Sequence, residues 1–171
     1  KVFLPRLCHY NVFAGVDHEM NGQNMVELAQ HNELNEVVYA GHSAGGLAAI
    51  IASSIDSNSL GVLGLDTTDT ENVPGVPNFI GQQYADTIYG IGFYVQGEPS
   101  SCNSDNNGLD LFDIMEESFI MSVDGADHCD FENPTDSICE LACEAGGGND
   151  EEVRSLIGIY GTSAILLLTG L

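Results

Sequence analysis

Apolar residues arrive along this chain in short runs, separated by glycine-rich or amphipathic stretches. Lys1–Leu7 (KVFLPRL) reads as a buried strand. So do Glu36–Ala40 (EVVYA), Gly61–Leu65 (GVLGL), Ile91–Gln96 (IGFYVQ) and Ser118–Val123 (SFIMSV). Between them the period changes. Met25, Leu28 and Ala29 fall at helical spacing within Met20–His31, and Ala44–Ile55 (AGGLAAIIASSI) suits a helix packed closely on a sheet. Further helices are predicted over Leu109–Glu117, over Asp136–Glu144, and from Glu151 towards Leu168. Asn149 or Asp150 can cap the last, and acids in its first turn favour the helix dipole, while Gly158 and Gly161 weaken it. Thr67–Gly90, with Pro74 and Pro77, shows no period and reads as loop. Strands alternating with helices imply parallel pairing through crossovers. The expected fold class is therefore α/β: one domain, five strands in a mostly parallel sheet, helices on both faces.

Composition and charge narrow the partners. The chain has 171 residues, of which 43% are hydrophobic, enough for a core. It carries 26 acidic residues against Lys1, Arg6 and Arg154, a net charge of −23. Such a surface offers no basic patch for nucleic acid and is repelled by anionic membranes. It suits solubility in high salt, where screening removes the self-repulsion. The longest apolar run, Ala164–Leu168, falls far short of the ~20 residues of a membrane span. The chain opens on Lys1 without a recognisable signal peptide, so its natural start is expected to lie elsewhere. Cysteines at 8, 102, 129, 139 and 143 make an odd number. No CxxC pair accompanies them, which disfavours zinc.

The sharpest chemical signal is Gly41-His42-Ser43-Ala44-Gly45-Gly46, a G-x-S-x-G pattern between a strand and a small-residue helix. A serine there sits on a strained strand-to-helix turn with its hydroxyl above the sheet. Side chains two residues before or after it would strike backbone, hence Gly41 and Gly45. The N–H of Ala44 then becomes an oxyanion donor, helped by the helix dipole. His42 neighbours the serine but points away from its hydroxyl.

With Ser43 as nucleophile, triad order requires the base downstream. His9, His18 and His31 precede it, leaving His128 in Gly125-Ala126-Asp127-His128 after the fifth strand. The acid is open on the residues alone. Asp66 follows the GVLGL strand directly, Asp69 lies three further on, and Glu98 or Asp105 follows the next strand.

GHSAGG, GLDTTD and GADHCDF together resemble the chlorophyllase-like and lipase-like branch of the α/β-hydrolases. The resemblance spans Lys1 to Phe131 and implies a serine esterase acting on small-molecule or lipid-like esters, with no cofactor or metal. It favours Asp66 as the acid, because pancreatic-type lipases and platelet-activating-factor acetylhydrolases look similar at Gly-Leu-Asp. It also implies that the first strands, and the loop supplying the second oxyanion N–H, belong to a longer protein of which this chain is a part. Chlorophyllases typically carry arginine after the serine, where this chain has Ala44.

Cys102 and Cys129 lie on loops leaving the same sheet edge, so a Cys102–Cys129 disulfide would tie down the base loop, similar to polyester hydrolases and cutinases; the alternative is free buried thiols. Disulfides would imply export. Asn103-x-Asp105-x-Asn107-Gly108 resembles half a calcium loop, but Ile114 stands where the bidentate glutamate belongs, so it reads as a turn. The competing functions are a non-catalytic binding protein or an acyltransferase on the same scaffold. Substrate, acyl length and oligomeric state are not legible.

Overall fold

Four of the five apolar runs form one sheet, and their alternating side chains serve two cores. The structure is a computed structural model that describes residues 1–5, 10–11, 15–70, 79–135, 139, 143 and 151–171. A short antiparallel pair, β1 (Tyr10–Asn11) and β2 (Gly15–Val16), precedes α1 (His18–His31). Then follow β3 (Val37–His42), α2 (Ala44–Ile55), β4 (Ser59–Leu65), α3 (Gly81–Ala85), β5 (Ile91–Gln96), α4 (Gly108–Asp113) and β6 (Ser118–Ser122). A 3-10 turn (His128–Phe131) and α5 (Glu151–Thr169) complete the elements among the described residues.

The sheet order is β3-β4-β5-β6, all parallel. Parallel strands covered on both faces read as near-continuous apolar runs, which is why they were legible. Tyr39, Val62 and Tyr94 point to the face covered by α1 to α4, where Leu47, Ile50 and Phe112 pack. Leu63, Phe93 and Val95 point to the other face, against Val153, Ile157, Ala164 and Leu168 of α5. With the buried Gly161, those α5 residues recur every three to four positions, the stripe a helix needs to lie on a sheet.

Four expectations change. The stretch 67–90, which reads as loop, holds the short helix α3 (Gly81–Ala85), whose five residues are too few to show a period. Lys1–Pro5 is not a strand: it is exposed, with Val2 87% and Leu4 93% accessible, and Arg6 and Leu7 lie outside the described residues. Apolarity alone does not supply a partner strand. The main sheet therefore has four described strands, and the β1–β2 pair, two residues per strand, was too short to show a period. Finally, α5 has 19 residues and, by length and composition alone, is apolar enough to cross a membrane, although no unbroken run suggested it. Here its Val153, Ile157, Gly161, Ala164 and Leu168 are buried in the protein. The helix expected over Asp136–Glu144 falls outside the described residues apart from Cys139 and Cys143, both helical, and so do the proposed caps Asn149 and Asp150.

Candidate active site

The C-terminal ends of four parallel strands meet along one edge, and the chemistry gathers there. Ser43 follows β3 directly, with φ 54° and ψ −128°. This is backbone that a residue with a side chain rarely adopts. It is over-determined by its neighbours. Ser43 N–H donates to the Leu65 carbonyl at 3.0 Å, and the Ser43 carbonyl accepts from Gly46 at 2.9 Å and Thr68 at 3.3 Å. The sharp turn brings chain onto chain. A Cβ on Gly41 would lie 2.2 Å from the Gly45 carbonyl oxygen, and one on Gly46 would lie 2.1 Å from Thr67 Oγ1. The glycines are a steric requirement of the elbow. Ala44 opens α2, so its N–H has no acceptor within the helix.

Asp66 follows β4, the neighbour of the serine strand, and is fully buried. His128 opens the 3-10 turn after β6 and is 6% exposed. The three side chains connect. His128 Nδ1 lies 2.6 Å from Asp66 Oδ2, and His128 Nε2 lies 3.0 Å from Ser43 Oγ. A carboxylate only accepts, so Nδ1 carries the proton and Nε2 is free to accept from the serine hydroxyl. The Thr68 hydroxyl approaches Ser43 Oγ at 3.4 Å.

The other acids are engaged elsewhere. Asp69 accepts from Gly81 N–H at 3.3 Å, and burial raises its carboxyl above the ordinary range. Glu98 accepts from Gly125 N–H at 3.2 Å. Asp105 is exposed on a turn.

The turn that carries His128 is braced independently of Ser43 and Asp66. Asp127 accepts from the N–H groups of Cys129 and Asp130, and Asp130 accepts from Asp127 N–H in return, a reciprocal cap. Asp130, 4% exposed, pairs with Arg154 of α5 at 3.4 Å, and Arg154 also donates to Thr135. The His42 ring lies 4.5 Å from the His128 ring and stacks on Phe131. Burial first, and the adjacent His128 second, push the His42 pKa down to about 4. The Glu132 carboxylate, 3.6 Å away, does not reverse this. His42 is therefore a neutral wall beside His128.

The expected Cys102–Cys129 bond is not formed. The pairs are Cys102–Cys143 and Cys129–Cys139. The two loops do meet, through Glu98 N–H to the Ala126 carbonyl at 2.8 Å, but the helical pair Cys139 and Cys143 each takes one partner. The Sγ atoms of Cys129, Cys139 and Cys143 lie within 4.8 Å of one another, yet every one is spent in a disulfide rather than free for a metal. The asparagine-rich turn 103–107 also faces inward: Asn103 donates to Asp66, and Asn107 brackets the Asp69 backbone.

His18, set aside as lying upstream of the serine, is fully buried at the start of α1, with Nε2 2.9 Å from Thr70 Oγ1. Burial lowers its pKa, against smaller raising influences of the Ala44 backbone and Asp17. Sequence reasoning missed this buried histidine and also missed Thr68. A polar residue following GLD was the only signal available for Thr68.

Solved structures superpose on this chain, among them the following two. Est1E from Butyrivibrio proteoclasticus does so with a TM-score of 0.61 at 11% identity, over 91% of this chain and 74% of its own. The fold is the α/β-hydrolase fold. A dienelactone hydrolase-like promiscuous phosphotriesterase from metagenomic libraries matches with a TM-score of 0.61 at 14% identity, over 90% of this chain and 61% of its own. The α/β-hydrolase architecture is thus shared where the sequence is not. No protein-family model matches the sequence, and no curated protein matches it.

Proposed function

We propose that this chain is a serine hydrolase that cleaves carboxylic esters through Ser43, His128 and Asp66. The observation that carries the reading is the unbroken relay from Asp66 Oδ2 to His128 to Ser43 Oγ, at 2.6 and 3.0 Å, above the elbow. In this reading His128 Nε2 takes the hydroxyl proton as Ser43 Oγ attacks the ester carbonyl. Asp66 holds the tautomer and stabilises the imidazolium. The Ala44 N–H meets the oxyanion at the positive end of α2. His128 then gives its proton to the leaving alcohol. Water, deprotonated by the same imidazole, hydrolyses the acyl-enzyme and frees the acid.

The reading takes residues 1–171 as one domain and assigns the second oxyanion N–H to a segment outside the described residues. Withdrawing one such donor costs about 10²–10³ in rate, so that segment matters to activity. The substrate is a small-molecule or lipid-like ester of the uncharged or apolar kind, because a chain of net charge −23 repels anionic ones. Two disulfides fit an oxidising compartment, hence an exported protein.

Labelling with a fluorophosphonate probe, followed by peptide mass mapping, tests this. Modification of Ser43 that disappears in His128→Ala supports it. Absence of labelling in folded protein refutes it and leaves a non-catalytic binding protein as the better reading. Product analysis with added alcohols separates hydrolysis from acyl transfer.

A further inference from the structure

We propose that Asn103 is a positioning residue that fixes the Asp66 carboxylate in line with His128, and that the left-handed turn after it exists to aim its amide. The proposal rests on the Ser43–His128–Asp66 reading. Asn103 is fully buried. Its Nδ2 lies 3.3 Å from Asp66 Oδ1, 3.1 Å from Oδ2 and 2.8 Å from the Glu98 carbonyl. Its Oδ1 accepts from the N–H groups of Ser100 at 2.8 Å and Asn106 at 3.1 Å. Both donor hydrogens and both acceptor sites of the amide are used. The flipped amide would set its oxygen against three acceptors, so this network permits one orientation.

Asp66 is caged as a result. Oδ1 takes the Gly97 N–H at 3.0 Å together with Asn103, and Oδ2 takes Asn103 together with His128. Rotation of the carboxylate away from His128 breaks bonds on both oxygens. The scaffold behind it is unusual. Ser104, Asp105 and Asn106 hold φ of 53°, 55° and 62°, three successive side-chain-bearing residues in left-handed backbone. Asn106 Nδ2 ties the turn to the Gly97 carbonyl at 3.0 Å, and Cys102, beside Asn103, is bonded to Cys143. Capping the turn needs only the Asn103 oxygen. The donor side serves Asp66 and the Glu98 backbone.

Asn103→Asp and Asn103→Ala separate these roles. The first keeps an acceptor for the turn while removing the donor. Both are expected to lower kcat about tenfold or more with KM unchanged, the scale at which partners that orient site residues act. The decisive readout is a double-mutant cycle: in an Asp66→Asn background the same substitutions should cost nothing further, because Asn103 acts through that carboxylate. Equal losses in both backgrounds, in variants with wild-type melting curves, overturn the proposal. A second measurement leaves Asn103 intact: its side-chain amide signals in ¹⁵N-resolved spectra should shift on Asp66→Asn, and unmoved signals overturn it. Fluorophosphonate labelling of the wild type is run alongside. Failure there removes the triad reading, whereas normal labelling in wild type and in folded Asn103 variants alike removes this inference alone.

Discussion

His42 makes the protein sensitive to mild acid in a direction that can be worked out beforehand. Its folded pKa of about 4 lies below the ordinary 6.5, because burial and the neighbouring His128 disfavour its charge. Between those values the unfolded chain binds a proton that the folded chain refuses, so stability falls as the pH drops from 6.5 towards 4 and is flat outside that window. The ring is 17% exposed, so little discount for solvent is needed. That lowering corresponds to roughly 3 kcal/mol in full, of which about 2 kcal/mol is lost by pH 5. His42→Phe keeps an aromatic ring against Phe131 and cannot titrate. Urea unfolding of both proteins at intervals from pH 7.5 to 4.5 isolates the effect as the difference between two curves, cancelling the titration of the 26 acids. The curves should converge on the variant's side: wild type loses about 2 kcal/mol more than His42→Phe between pH 7 and 5. Parallel curves would sink the assignment of a neutral, buried His42.

Other perturbations test the elbow, the acid and the brace. Gly41→Ala forces a Cβ to within 2.2 Å of the Gly45 carbonyl oxygen, so it should abolish fluorophosphonate labelling of Ser43 even where circular dichroism shows folded protein. Asp66→Asn should lower kcat for a chromogenic ester by about 10⁴ with a much smaller change in KM, because the amide selects the wrong tautomer of His128; a loss under tenfold would point to another acid. Arg154→Ala leaves the buried Asp130 carboxylate without its cation and should destabilise the protein by about 3 kcal/mol in urea. Asp130→Asn in the same background should recover part of that loss, and no recovery would contradict the pairing.

What was legible in the sequence follows from how local each constraint is. The strands around Val62 and Tyr94 could be read because both faces are buried, so the apolar run is nearly continuous. Ser43 could be read because the elbow imposes glycines within three residues of it. His128 followed from triad order, with only one histidine left downstream. Asp66 needed a resemblance to separate it from Asp69, Glu98 and Asp105. The proposed reading prefers Asp66 because His128 reaches it from a loop 62 residues away, a contact that no local pattern records. The exposed apolar segment Lys1–Pro5 misled because a strand is made by its neighbour as much as by its own residues. The disulfides misled for a related reason: loops that share an edge can touch without their sulfurs meeting. Asn103 was visible only as part of a turn, since its role lies in what its amide faces across the fold.

The placement of Ser43 and Asp66 on adjoining strands also sets an order of events. Both belong to the one strand–helix–strand unit running from Val37 to Leu65 and the residue after it, joined at Gly41 and Gly64. That unit has short-range contacts and can assemble early. His128 arrives from 85 residues beyond the serine, on a turn that needs β6 and α5 in place. Refolding should therefore recover helical signal before it recovers a reactive serine, and the interval between them is the time the base turn takes to dock.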